Sequence, residues 1–178
     1  MTQLILINGN PGVGKSTLLK NLKDIYTDSV FFSKDDYKEQ VLDTIIPDSI
    51  PNKSNIAGKL AMQFGFNLAR VLLKTEQTVF FESNFHPEFA LEDLKQFTTT
   101  QIKQIYLHCS DQTAFERFQA RLKDSKRHAI HKQADSQIVT LEHYLQKLRR
   151  DPIPGLQTLQ VSTEQPFKIQ EILDFVDN

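Results

Sequence analysis

The chain has 178 residues, with 21 Lys+Arg against 22 Asp+Glu for a formal net charge of −1, and 39% of it is hydrophobic. That length supports one domain with a three-layer core, and the even charge with an ordinary apolar fraction excludes a disordered chain or a polyanion-coating protein. A lone cysteine, Cys109, excludes a disulfide scaffold and a Cys-rich zinc module.

The opening apolar run is only Leu4 to Ile7, with no basic stretch before it and no long apolar stretch after it. Neither a signal peptide nor a membrane span is expected, and the cytoplasm is the default compartment. This run reads as a first strand. It leads into Gly9-Asn10-Pro11-Gly12-Val13-Gly14-Lys15-Ser16-Thr17, which satisfies G-x-x-x-x-G-K-[ST]. A helical pattern of Leu18, Leu19, Leu22 and Ile25 follows. Strand, motif and helix in this order make a P-loop: glycines let successive N–H groups curl around phosphate oxygens, and the helix aims its positive end at them. Lys15 is expected to reach the β- and γ-phosphates of ATP and Ser16 to coordinate Mg²⁺.

The second apolar run, Val30-Phe31-Phe32, ends in Ser33-Lys34-Asp35-Asp36-Tyr37-Lys38. The carboxyl ends of strands in a doubly wound sheet line the ligand crevice, so these residues should lie beside the P-loop. A kinase acting on a hydroxyl needs a carboxylate there to accept its proton. Ser33 and Asp36 have capping-box spacing, which gives Asp36 a structural duty and leaves Asp35 as the candidate base. The alternative for Asp35 is a solvent-facing acid in the first helical turn. Next comes an amphipathic stretch from Ile56 to Lys74, with Ala57, Leu60, Ala61, Phe64, Leu68, Val71 and Leu72 expected inward.

The third run, Val79-Phe80-Phe81, ends at Glu82, which either holds Mg²⁺ through water, positions a substrate group, or faces solvent as an ordinary strand-end acid. Asn84 either contacts substrate or caps the helix expected near Pro87. The fourth run, Ile105 to Leu107, precedes a helix carrying Arg117 and Arg121 four residues apart on one face. Between Arg117 and Lys132 six bases (Arg117, Arg121, Lys123, Lys126, Arg127, Lys132) meet one acid, Asp124. Such a segment suits a mobile lid, about 121–134, whose paired guanidiniums stabilise the phosphoryl group in flight. A surface helix with Glu116 or Asp124 as weak salt-bridge partner is the other reading. His128 and His131 lack a third metal ligand nearby in sequence. A fifth run, Leu159 to Val161, and a final helix with Ile169, Ile172, Leu173 and Val176 inward complete the chain.

Five short apolar runs separated by helical stretches predict one α/β domain over 1–178, a three-layer α/β/α P-loop NTPase fold with a five-stranded, mainly parallel sheet. No N-K-x-D occurs, which argues against a GTPase, and the length leaves little room for a motor's added modules. The P-loop with Ser33-Lys34-Asp35-Asp36-Tyr37 resembles the kinase domain of 5′-hydroxyl polynucleotide kinases. It is equally similar to the small AAA-domain and zeta-toxin-like P-loop kinases that include chloramphenicol phosphotransferases. Phe81 to Glu88 and Phe115 to Arg121 extend the likeness. The resemblance implies Asp35 as base and an ATP- and Mg²⁺-dependent transfer of the γ-phosphoryl group to a hydroxyl, of a small molecule or of a nucleoside or nucleic-acid end. Lys38, matching an arginine that contacts the nucleic-acid backbone in polynucleotide kinases, keeps the charge but not the bidentate fork. With the net charge near zero, a small acceptor is favoured over nucleic acid. The alternative class is a regulatory protein that binds or hydrolyses ATP without transfer.

Overall fold

The computed structural model describes residues 2–47, 49–125 and 127–178, so Lys126 of the basic segment lies outside the described residues. The five apolar runs are strands β1 (Gln3–Gly9), β2 (Val30–Ser33), β3 (Val79–Glu82), β4 (Gln101–His108) and β5 (Gln157–Ser162). They form one sheet in the order β2-β3-β1-β4-β5, and every pairing is parallel. All seven residues of β1 are buried, as a central strand covered on both faces requires. The chain leaves β1 for β2 and β3 on one side and crosses to β4 and β5 on the other. The carboxyl end of β1 is therefore the switch point where a crevice opens.

Around the sheet lie α1 (Lys15–Ile25), α2 (Lys34–Thr44), α3 (Lys53–Leu73), α4 (Pro87–Leu94), α5 (Asp111–Leu122), α6 (Ala129–Asp135), α7 (Leu141–Leu148) and α8 (Ile169–Asp177). One core cluster joins Ile5, Ile7, Leu18, Leu22, Phe118, Tyr144 and Ile172. A second joins Leu4, Leu6, Phe32, Phe66, Phe81 and Phe85. No helix among the described residues is long and apolar enough to cross a membrane.

The inward face of α3 differs from expectation. Ala57, Ala61, Gly65, Phe66 and Ala69 are buried, whereas Leu60 (41% exposed), Phe64 (39%) and Val71 (58%) face outward. The buried row is small because the helix lies close against aromatic rings. A Cβ on Gly65 would stand 2.4 Å from Phe81 Cζ and 2.6 Å from Phe32 Cε1. Small residues contribute little to a hydropathy stripe, so the larger side chains misled the count. Phe64 keeps a role at the surface, stacked on Tyr37 with ring centroids 4.1 Å apart. Gly65→Ala gains about 1 kcal/mol of helix propensity but forces two buried rings apart, at about 1–3 kcal/mol. The expected outcome is a net loss of up to about 2 kcal/mol, read as a lower urea midpoint at constant m-value.

Ile25 at the end of α1 is exposed rather than inward. Cys109 is half-buried. The lid segment, about 121–134, is helical in its second half, α6, and that helix packs on α2.

Candidate active site

The P-loop between β1 and α1 is built from close approaches. A Cβ on Gly9 would lie 2.3 Å from the Leu107 carbonyl oxygen of β4, and one on Gly12 would lie 2.3 Å from that of Ala114 in α5. Both glycines have positive φ (140° and 94°), so each position excludes a side chain twice over. Val13 is buried in the core and pins the loop from below. Gly14 is the N-cap of α1 in the left-handed region, φ 95°. Pro11 to Thr17 line a cleft of about 710 Å³.

Gly9 and Asn10 do their work underneath. Their carbonyls accept hydrogen bonds from Lys15 Nζ at 2.9 and 3.1 Å. The Asn10 side chain turns away and accepts from the Arg150 backbone N–H at 2.7 Å. Tyr144 of α7, fully buried, donates its hydroxyl to the Pro11 carbonyl at 2.7 Å. The loop is thus braced by a segment more than a hundred residues away, for which the motif carries no signal. Asn8 binds three elements together, donating to Gln104 Oε1 at 3.0 Å and accepting from the N–H groups of Gly9 and Phe85.

On the β2/β3 side, Glu82 is 6% exposed and does not face solvent. Its Oε1 lies 4.0 Å from Lys15 Nζ, and its Oε2 accepts a hydrogen bond from Ser33 Oγ at 3.0 Å. Burial pushes the Glu82 carboxyl up, and the Asp35 charge adds to this against the opposing pull of Lys15 and Ser33. Burial likewise pushes Lys15 down, while Glu82 and Asp35 hold its charge in place. The bond from Ser33 to Glu82 corrects the capping-box expectation. Ser33 is the N-cap of α2 by position but makes no side-chain cap bond, so Asp36 is left as an exposed first-turn acid. Asn84 is no helix cap either, since His86 is the N-cap of α4, and its side chain lines the cleft.

Asp35 opens into the same cleft as Lys15, Ser16, Lys34, Lys38, Glu82 and Ser83. Desolvation raises its carboxyl, but Lys34, the His131 ring, Lys15 and Lys38 outweigh this and hold it below the ordinary aspartate value. Burial and the neighbouring Lys34 charge push the Lys38 amine down, against the pull of Asp35 and Asp135.

On the far side, Arg117 and Arg121 of α5 both line the cleft, but they differ. Arg117 is tied to the loop after β5, donating to the Thr163 carbonyl at 3.0 Å and to Thr163 Oγ1 at 3.3 Å. Arg121 is not tied down in this way among the described residues, and its charge adds to the downward push on Lys15. Residues Thr163 to Phe167 also line the cleft and were missed by sequence reasoning. The strand-end rule that located Asp35 and Glu82 would have found them if applied to β5. His131, Arg127 and Asp135 from the lid complete the wall, the last two joined in an ion pair.

Hard oxygen donors from Ser16 and Glu82 facing one cleft suit Mg²⁺, and the loop amides with Lys15 suit a polyphosphate. The AAA domain family model matches residues 5–139, which spans the P-loop, the Asp35 helix, β3, the arginine helix and the lid. No curated protein matches this chain in sequence. Among solved structures, a presumed kinase from Chloroflexus aurantiacus is 27% identical with a TM-score of 0.79, over 99% of this chain and 94% of that one. A sugar kinase from Janibacter sp. is 14% identical, with a TM-score of 0.62 over 99% and 95% of the two chains. A gluconokinase from Sinorhizobium meliloti is 16% identical, with a TM-score of 0.55 over 97% and 88%. The last two likenesses are of fold alone. With three quarters of its length under one family model and the P-loop intact within it, the chain belongs to the AAA domain family.

Proposed function

We propose that this protein is a kinase that transfers the γ-phosphoryl group of ATP, with Mg²⁺, to a hydroxyl of a small molecule. The observation that carries this reading is the placement of Asp35 across the cleft from the P-loop, among the groups that would hold the triphosphate. In the transfer, the acceptor hydroxyl gives its proton to Asp35 while its oxygen forms a bond to the γ-phosphorus. The bond from that phosphorus to the β-bridging oxygen breaks, and ADP leaves.

The loop amides and Lys15 would hold the phosphates, with Ser16 directly and Glu82 through water on Mg²⁺. The metal, when bound, neutralises charge on the β- and γ-oxygens. Lys38 and Asn84, which line the cleft, would face the acceptor. Arg117, committed to Thr163, would shape the nucleotide end by fixing the loop after β5. Arg121, which also lines the cleft, would meet the charge spreading over the phosphoryl oxygens. The 27% identity to a presumed kinase supports transfer, and the sugar kinase and gluconokinase lend their acceptors, hydroxyl-bearing small molecules, only as a class to try first.

The test is a metabolite screen with γ-labelled ATP, starting from sugars and sugar acids and including a 5′-hydroxyl oligonucleotide. Label on a small acceptor supports the reading. Slow release of inorganic phosphate with every acceptor would favour the non-transferring alternative. Arg121→Lys refines it. If the planar fork is used only in the transition state, kcat drops at least ~10-fold at saturating substrates while ATP affinity changes little. Equal turnover would return Arg121 to surface decoration.

A further inference from the structure

The lid and the base-bearing helix meet through a ladder of carboxylates and histidines. Asp35, Glu39 and Asp43 recur every four residues along one face of α2. From the lid, His128 Nε2 lies 3.1 Å from Asp43 Oδ1, and His131 Nε2 lies 3.1 Å from Glu39 Oε1. Ile130, between the histidines, packs on the cluster of Val41, Leu42 and Ala57 and so seats α6 on α2 and α3. Two polar rungs and an apolar peg fix the register of the lid helix against α2.

That register carries His131 to the Asp35 end of the cleft. The residue is 8% exposed and lines the cleft that Asp35 also lines, and its Nε2, though 3.1 Å from Glu39 Oε1, has no hydrogen-bond partner among the described residues. A buried ring nitrogen without a partner costs free energy unless something fills the site. We propose that His131 is a positioning residue of the acceptor site: with acceptor bound, a ring N–H steadies one oxygen of Asp35 and leaves the other for the acceptor hydroxyl. This rests on the kinase reading above.

The ring is suited to hold a carboxylate without protonating it. Burial, with Lys38, Arg127 and His128 nearby, pushes His131 down to about 4 despite the opposing pull of Asp35. Near neutrality it is an uncharged donor. The other charged groups facing the pair are Lys34 and Glu39 on α2, Lys15 on α1, and Asp135 on α6.

Three variants and one titration test this. His131→Ala should lower kcat by ~10- to 100-fold, the usual cost of a loosened reacting geometry, with a smaller effect on KM for ATP. His131→Asn, which keeps a neutral N–H donor, should recover most of that loss. His128→Ala, which removes the outer rung and the cap bond its Nδ1 accepts from the Ile130 N–H, should cost less than ~3-fold, since an exposed pair is worth little. Equal losses in His131→Ala and His128→Ala, or no recovery with Asn, would overturn the proposal and leave a simple latch. Carbon-detected NMR titration of the Asp35 carboxyl, without nucleotide or acceptor, gives a readout independent of transfer. Loss of the ring should move the Asp35 midpoint upward, and an unmoved midpoint overturns the contact. If the wild-type protein transfers label to nothing, it is the kinase reading that fails, and the titration still decides whether His131 acts on Asp35.

Discussion

Asp35→Asn is expected to lower transfer by roughly 10²–10⁴-fold, the usual worth of a general base, while ATP affinity stays nearly intact. The asparagine is isosteric and can still orient a hydroxyl, so what it removes is the proton acceptor. The loss should therefore fall on kcat rather than on KM for ATP. Because the surrounding cations hold the carboxyl below its ordinary value, Asp35 should stay ionised to lower pH than an ordinary aspartate, and no acid limb above the usual carboxylate range should come from it. Asp36→Asn is the matched control. With no capping box formed, Asp36 retains only a favourable place near the N-terminus of α2, worth ~0.3–1 kcal/mol. It should change stability slightly and transfer hardly at all. Single-turnover rates of the two variants decide the matter, and a swap of their effects would sink the assignment of the base.

What could be read from the sequence was what depends on neighbours in sequence. The P-loop is local, with strand, glycines, lysine and helix inside about twenty residues, and it formed as expected. The apolar runs located all five strands, but β4 starts earlier than its run because Lys103 and Gln104 are buried polar residues. Lys103 Nζ donates to the Phe175 and Val176 carbonyls at 3.0 Å and so closes the end of α8, a partner more than seventy residues away. Capping at Ser33 failed as an inference for the same reason. A local partner, Asp36, was available by spacing, but the distant Glu82 takes the hydroxyl. Helix α6 has only seven residues and too little periodicity to announce itself, and its seat on α2 comes from Ile130 and two histidines. Those histidines, without a third metal ligand near them in sequence, carried no role until the fold set an acidic helix beside them. Tyr144 and Arg150 brace the P-loop through one hydroxyl and one backbone N–H, contacts with no sequence pattern at all.

Lys15→Ala is expected to abolish tight ATP binding, a loss of at least ~100-fold, because each charge-assisted hydrogen bond to phosphate is worth ~1.5–3 kcal/mol. The ammonium is bonded to the Gly9 and Asn10 carbonyls of its own loop and lies 4.0 Å from Glu82. Removing it therefore does two things. It takes away the cation that meets the β- and γ-phosphates, and it leaves the buried Glu82 without its counter-charge. Glu82, already pushed up by burial, should then bind a proton rather than remain an unpaired ion. This linkage separates the two effects. A protonated Glu82 cannot help to hold Mg²⁺, so raising the Mg²⁺ concentration should not restore ATP binding. Lys15→Met fills nearly the same space without charge and should bind ATP as poorly as the alanine variant, with a smaller change in melting temperature. Calorimetric titration of ATP into both variants, with and without Mg²⁺, is the measurement. An affinity equal to wild type in either would mean that the loop amides alone hold the triphosphate and that Lys15 serves only to brace the loop against Glu82.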